Sequence, residues 1–149
     1  MAMWARIASF GRNRSGAVSV EFAAAAAFLA ICLVALADHG MMAYRSLALE
    51  AAARSGANYL MMRPGDPDGL RNMVRATLTL APEAVNVEGV MRCECLNGAM
   101  VDCSGNCAGS GPDRIFAVVT VLYDYTPIFA YPWLGERVAL RGRAEFRVR

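Results

Sequence analysis

The chain contains no lysine, and all 15 of its basic residues are arginine. Against 13 acids this leaves a net charge of +2, too small to mark a nucleic-acid binder. A single histidine, His39, excludes a multi-histidine metal site and leaves one position for a Ser-His-Asp triad. No carboxylate or cysteine cluster lies near it in sequence, so it is expected to be solvated rather than catalytic. Charged residues make up only 19% of the chain, where a soluble domain has about 25%. No internal repeat is evident, and no Cys-x-x-Cys motif offers a redox site. Neither a cofactor, a small-molecule substrate nor a nucleic acid is expected.

What the chain has in excess is apolar residues, at 56%. They concentrate at 17–37, AVSVEFAAAAAFLAICLVALA, with Glu21 as the one charge. A bilayer core about 30 Å thick is crossed by about 20 helical residues, so this segment fits one span. The leader 1–16 carries Arg6, Arg12 and Arg14 and no acid. Basic flanks stay cytoplasmic, which places the N-terminus inside and Asp38 onward outside. Trp4, Ile7 and Gly11 fall on one helical face, so the leader either lies along the membrane surface or is an unstructured basic flank.

Three readings of the segment compete. It is a plain anchor, a signal peptide cut after Ala35-Leu36-Ala37, or a pilin-like leader cut on the cytoplasmic side after Gly16. Glu21 separates them. A carboxylate inside an apolar span costs about 2.5–3.5 kcal/mol at the helix centre and less near the interface. Anchors and signal peptides have no use for it. Cleavage after Gly16 would create a positive amine on Ala17, one turn from Glu21, and an assembled bundle would use the opposite charge. The alternative is a glutamate at the interface that snorkels or is protonated.

Arg12-Asn13-Arg14-Ser15-Gly16 followed by Ala17-Val18-Ser19-Val20-Glu21-Phe22 resembles the processing site of TadE-like pseudopilins. These are minor pilin-like proteins of the tight-adherence (Flp-type) pilus system. The resemblance extends through Asp38-His39-Gly40 and Ala51-Ala52-Ala53-Arg54-Ser55-Gly56-Ala57, with a looser match at Tyr123-Asp124-Tyr125-Thr126-Pro127. Many members carry proline near the position of Ala27, and tyrosine is a frequent alternative to Phe22. The resemblance implies a processing site at Gly16, Ala17, Glu21 and Phe22 and a structural, non-enzymatic role in pilus assembly. It also implies three partners: a prepilin peptidase, other pilin-like subunits and the assembly platform. The setting would be the bacterial inner membrane, with the C-terminal domain periplasmic and the protein associated with the pilus.

Beyond the span, residues 38–62 keep a helical composition, with Glu50 and Arg54 a favourable i,i+4 pair. Helix carried from Ala17 to Met62 would be about 69 Å long. Pro64, Gly65 and Pro67 end it, and Asp68 caps a short second helix through Leu80. Alternation over 85–95, an apolar run at 115–125 and alternation over 138–148 predict strands. The expected fold is α+β and pilin-like. A long N-terminal transmembrane helix continues into a small domain, 63–149, with a roughly three-stranded antiparallel sheet packed on the helix.

Cys93, Cys95, Cys103 and Cys107 form C-x-C-x7-C-x3-C among loop-forming residues. Outside the membrane they are most simply two disulfides, the strained Cys93–Cys95 pairing being least favoured. A four-cysteine zinc site is the rival. Cys32, inside the span, reads as a small hydrophobe. Arg137, Arg141, Arg143, Arg147 and Arg149 form either a solvated strand face or a surface for acidic partners or lipid head groups. Between two prolines, Ile128, Phe129, Tyr131, Trp133 and Leu134 either cap the core or form a partner patch. A disulfide-stapled binding domain, secreted after cleavage at Ala37 or still anchored, is the competing function.

Overall fold

A computed structural model describes residues 15–81, 84–129, 131 and 135–148. The described elements are α1 (Ser15–Met62), α2 (Pro67–Thr77), β1 (Val85–Glu94), β2 (Met100–Val101), β3 (Arg114–Tyr125) and β4 (Val138–Arg147). The chain divides between His39 and Gly40 into two compact units, Met1–His39 and Gly40–Arg149.

In the first unit, α1 is apolar on every side. Val20, Phe22, Phe28, Ile31 and Leu36 are each at least 70% exposed. An 18-residue window of this helix has a mean hydropathy of 2.4, with none of it buried. By length and composition it can cross a membrane. The helix begins at Ser15 rather than Ala17, since nothing in Ser15-Gly16 prevents a good helix former from propagating backward.

In the second unit the same helix has one buried face. Leu49, Ala52, Ala53, Gly56, Ala57 and Leu60 recur at helical spacing and are all buried. Most are small, so the neighbouring backbone comes close. A Cβ added at Gly142 of β4 would lie 2.3 Å from the Leu49 carbonyl carbon and 2.6 Å from the Glu50 amide nitrogen. Glycine is the residue that admits this approach. Gly56 and Gly89 make room in the same way for α2, whose Val74 and Leu70 side chains press on them.

The helix ends at Met62, as Pro64 and Gly65 require. The second helix is capped by Asp66 rather than Asp68, and it stops at Thr77 rather than Leu80. The reason is Pro67. It occupies the first helical position, where its missing N–H costs nothing, so the capping residue is the one before it. Leu78 is already extended, which ends the helix three residues early.

The sheet has four antiparallel strands in the order β2-β1-β3-β4, one more than the three expected. The additional strand is the pair Met100–Val101, which lies opposite Glu94 and Cys93. Two residues are too few to leave an alternating pattern in sequence. β3 lies between β1 and β4, with Val121 opposite both Val87 and Gly142. Val119, Val121 and Val85 join Leu49 and Val74 among the large side chains that are fully buried, as are Cys93 and Asp38. β4 alternates as expected, with Leu140, Gly142 and Ala144 inward and Arg141, Arg143 and Glu145 in water.

Candidate functional site

The residues expected to form a processing site, Gly16, Ala17, Glu21 and Phe22, lie near the start of α1. Gly16 is exposed, and a Cβ added there would meet nothing within 4 Å. Among the described residues, packing therefore gives no reason for glycine at this position. Glu21 is exposed, and Phe22 is 75% exposed. Ala17 has helical backbone, one turn before Glu21, and its side chain lies outside the described residues. So do residues 1–14, including the arginines of the leader. The apolar residues that follow point outward and touch little of the chain itself, so a lipid or helical environment would find them accessible.

His39, two residues past the apolar segment, is exposed, and its Nδ1 donates to the Ala35 carbonyl at 2.7 Å. Cys32 is a free, exposed thiol on the apolar half of α1.

The four cysteines of the second unit are joined as Cys93–Cys103 and Cys95–Cys107. The first bridge anchors the short strand β2, since Val101 lies opposite Cys93. The second closes the loop 96–106, and Asp113 Oδ2, beyond that loop, accepts from the Leu96 amide at 2.9 Å. Gly98 inside this loop and Gly109 just past it have left-handed backbone, at φ of 82° and 93°. Cys95, Cys107 and Asp113 bring their ligand atoms within 4.8 Å of one another. Two of the three are sulfurs bonded to each other, so only the carboxylate keeps the lone pairs a metal would use.

The apolar patch is partly described. Ile128 and Phe129 are 68% and 54% exposed, and Tyr131 is half-buried. Trp133 and Leu134 lie outside the described residues. Ile128 and Phe129 therefore do not cap the core. Of the C-terminal arginines, Arg143 is 3.2 Å from Glu145, which also pairs with Arg92. Arg92 in turn lies 3.3 Å from Glu94 and stacks over Phe116 at 4.9 Å. This network covers the outer face of the sheet. Arg149 lies outside the described residues.

Sequence reasoning missed a structural lock between the two helices. The Tyr59 hydroxyl donates to Asp66 Oδ2 at 2.6 Å, and Oδ1 of the same carboxylate accepts from the Gly69 amide at 2.8 Å. The tyrosine hydrogen bond, then the Gly69 N–H, hold the Asp66 carboxyl below its usual range. The same hydrogen bond and partial desolvation raise Tyr59. A Cβ at Gly69 would strike both groups at 2.2 Å. The Asp66-Pro67 pair before a helical pattern was the available signal.

No protein-family model, curated protein or solved structure matches the chain.

Proposed function

We propose that this chain is a TadE-like minor pseudopilin, a structural rather than catalytic component of tight-adherence pilus assembly. It enters the bacterial inner membrane with its N-terminus inside, is cut after Gly16 by a prepilin peptidase, and presents Gly40–Arg149 to the periplasm. Its partners are the peptidase, other pilin-like subunits and the assembly platform.

One observation carries this reading. An exposed, predominantly apolar helix has near its start a glycine with no packing role among the described residues, followed by the exposed carboxylate of Glu21. The peptidase gives both a purpose: a residue without Cβ admits the protease backbone closely, and Glu21 balances the amine created on Ala17. A second reading is favoured by the division of the chain beside Gly40. Cleavage after Ala37 would release a binding domain with its core and both disulfides intact.

Intact mass and membrane fractionation separate the two. The expected product begins at Ala17 and stays with the membrane. Gly16→Leu should retain the leader. Glu21→Ala should still be cut but fail to assemble. A wild-type product that begins at Asp38 in the soluble fraction overturns the pseudopilin reading.

A further inference from the structure

The Ile128–Phe129 loop needs a reason for being exposed, and its place in the domain supplies one. A Cβ at Gly56 would lie 3.2 Å from Val119 Cγ1, so β3 passes α1 at Gly56. Four residues later the Tyr123 ring lies 5.7 Å from the Arg45 guanidinium. Those four strand residues cover about 13 Å, and the helix from Gly56 back to Arg45 about 16 Å. β3 thus runs alongside α1 toward the Gly40 end of the domain. Two more residues carry Tyr125 about 7 Å further, roughly to the level of Gly40. The loop that joins β3 to β4 emerges at the level of Gly40, and Gly40 is three residues in sequence past Ala37, where the apolar segment stops.

We propose that Ile128 and Phe129 insert into the outer surface of the bilayer that holds α1, giving the domain a second, interfacial membrane contact. This rests on the membrane-spanning part of the function proposed above. Other side chains at this end have interfacial character: Tyr44 is 65% exposed and Met41 42% exposed. Amphipathic rings and apolar side chains gather at the head-group level of membranes. Arg45 and Arg137 are near the loop, but so are Asp124 and Glu136. Attraction therefore depends on the apolar side chains and only weakly on lipid charge. The contact would fix the rotation of the domain about the helix axis, since a single helix leaves that rotation free.

The test uses the full chain with Cys32→Ser, reconstituted at low density in phosphatidylcholine vesicles with or without phosphatidylglycerol. An environment-sensitive fluorophore is placed on Thr126→Cys, Leu29→Cys or Asn106→Cys, and nitroxide-labelled lipids serve as quenchers. Thr126 flanks the loop and leaves Ile128 and Phe129 in place. Asn106 is in the cysteine loop, at the opposite end of the sheet, where β3 begins beside Glu94.

The expected result is shallow quenching at 126, deep quenching at 29 and none at 106, alike in both lipids. Ile128→Ser with Phe129→Ser should drop quenching at 126 to the level seen at 106 while leaving 29 unchanged. Quenching at 29 without quenching at 126 overturns this inference and leaves the span standing. Absence of quenching at 29 sinks the span and the inference together. A fluorophore at 126 that becomes shielded only as protein density rises, without lipid quenching, assigns the loop to a second copy instead. Quenching that survives the double serine change removes Ile128 and Phe129 from the contact.

Discussion

The two halves of α1 are built from similar residues and end in opposite environments. Alanine dominates both, in the run Ala23–Ala27 and again at Ala51–Ala53. On the first half Val20, Phe22, Phe28, Leu29, Ile31, Leu33 and Leu36 are all exposed and, among the described residues, only Asp38, at its end, is buried, whereas Leu49, Ala52, Ala53 and Leu60 on the second are at most 3% exposed. The difference comes from what faces each half. Around the first, Phe22, Phe28, Leu29 and Ile31 point in all directions, so no single protein face could satisfy them. On the second, Leu49, Ala52, Ala53, Ala57 and Leu60 form one buried stripe, while Glu50 and Arg54, 3.7 Å apart, and the exposed Tyr44 and Leu47 lie off it. Alanine content makes a helix, and the arrangement of the larger residues decides what solvent it needs.

Proline substitution tests this contrast with the largest effect. Ala52→Pro should destabilise the domain by about 3 kcal/mol or more, since it removes a backbone bond and clashes one turn back in a buried stripe. Ala27→Pro should leave domain unfolding unchanged, because neighbours in a membrane re-satisfy the freed backbone groups. Thermal unfolding of the detergent-solubilised chain, followed by near-ultraviolet circular dichroism, measures both. Equal losses would mean that the halves unfold as one unit.

Gly142→Ala sharpens the comparison at the contact that distinguishes the second half. The added methyl would meet helix backbone rather than a flexible side chain. A loss of about 1–3 kcal/mol is expected, in the range of an overpacked core. Gly40→Ala, where a Cβ meets open space within the chain, is the matched control. It should leave stability the same or slightly raised, since alanine favours helix.

The smallest effect concerns the Asp66 lock. Its carboxyl is held below the ordinary value, so its contribution is present above the unfolded-state pKa of about 3.9 and fades as pH falls through the lower folded value. Thermal melts from neutral pH into strong acid should therefore decline in that window for the wild type. Asp66→Ala should start lower at neutral pH and lose that acid step. An unchanged step would assign it to other carboxylates.

The structure joins Asp66 to a residue seven positions back, through a hydroxyl that sequence offers only as one tyrosine among five. That is why Asp68, the acid nearer the helical pattern, looked like the cap. Similarly, the C-x-C spacing argued against Cys93–Cys95 but left two pairings open. The choice between them depended on β2, a strand of two residues whose pairing places Cys93 next to Cys103.

Composition and order alone determined the long helix, its apolar first half, its stop at the Pro64 turn, and the alternating strand β4. Each follows from neighbours within a few residues, where propensity and periodicity act. Tertiary structure decided the disulfide partners, the fourth strand, the lock of Tyr59 on Asp66 and the passage of β4 over Leu49 at Gly142. It also decided at which end of the domain Ile128 and Phe129 emerge. These depend on groups far apart in the chain meeting in space, and no local pattern records which strand will pass which turn of the helix.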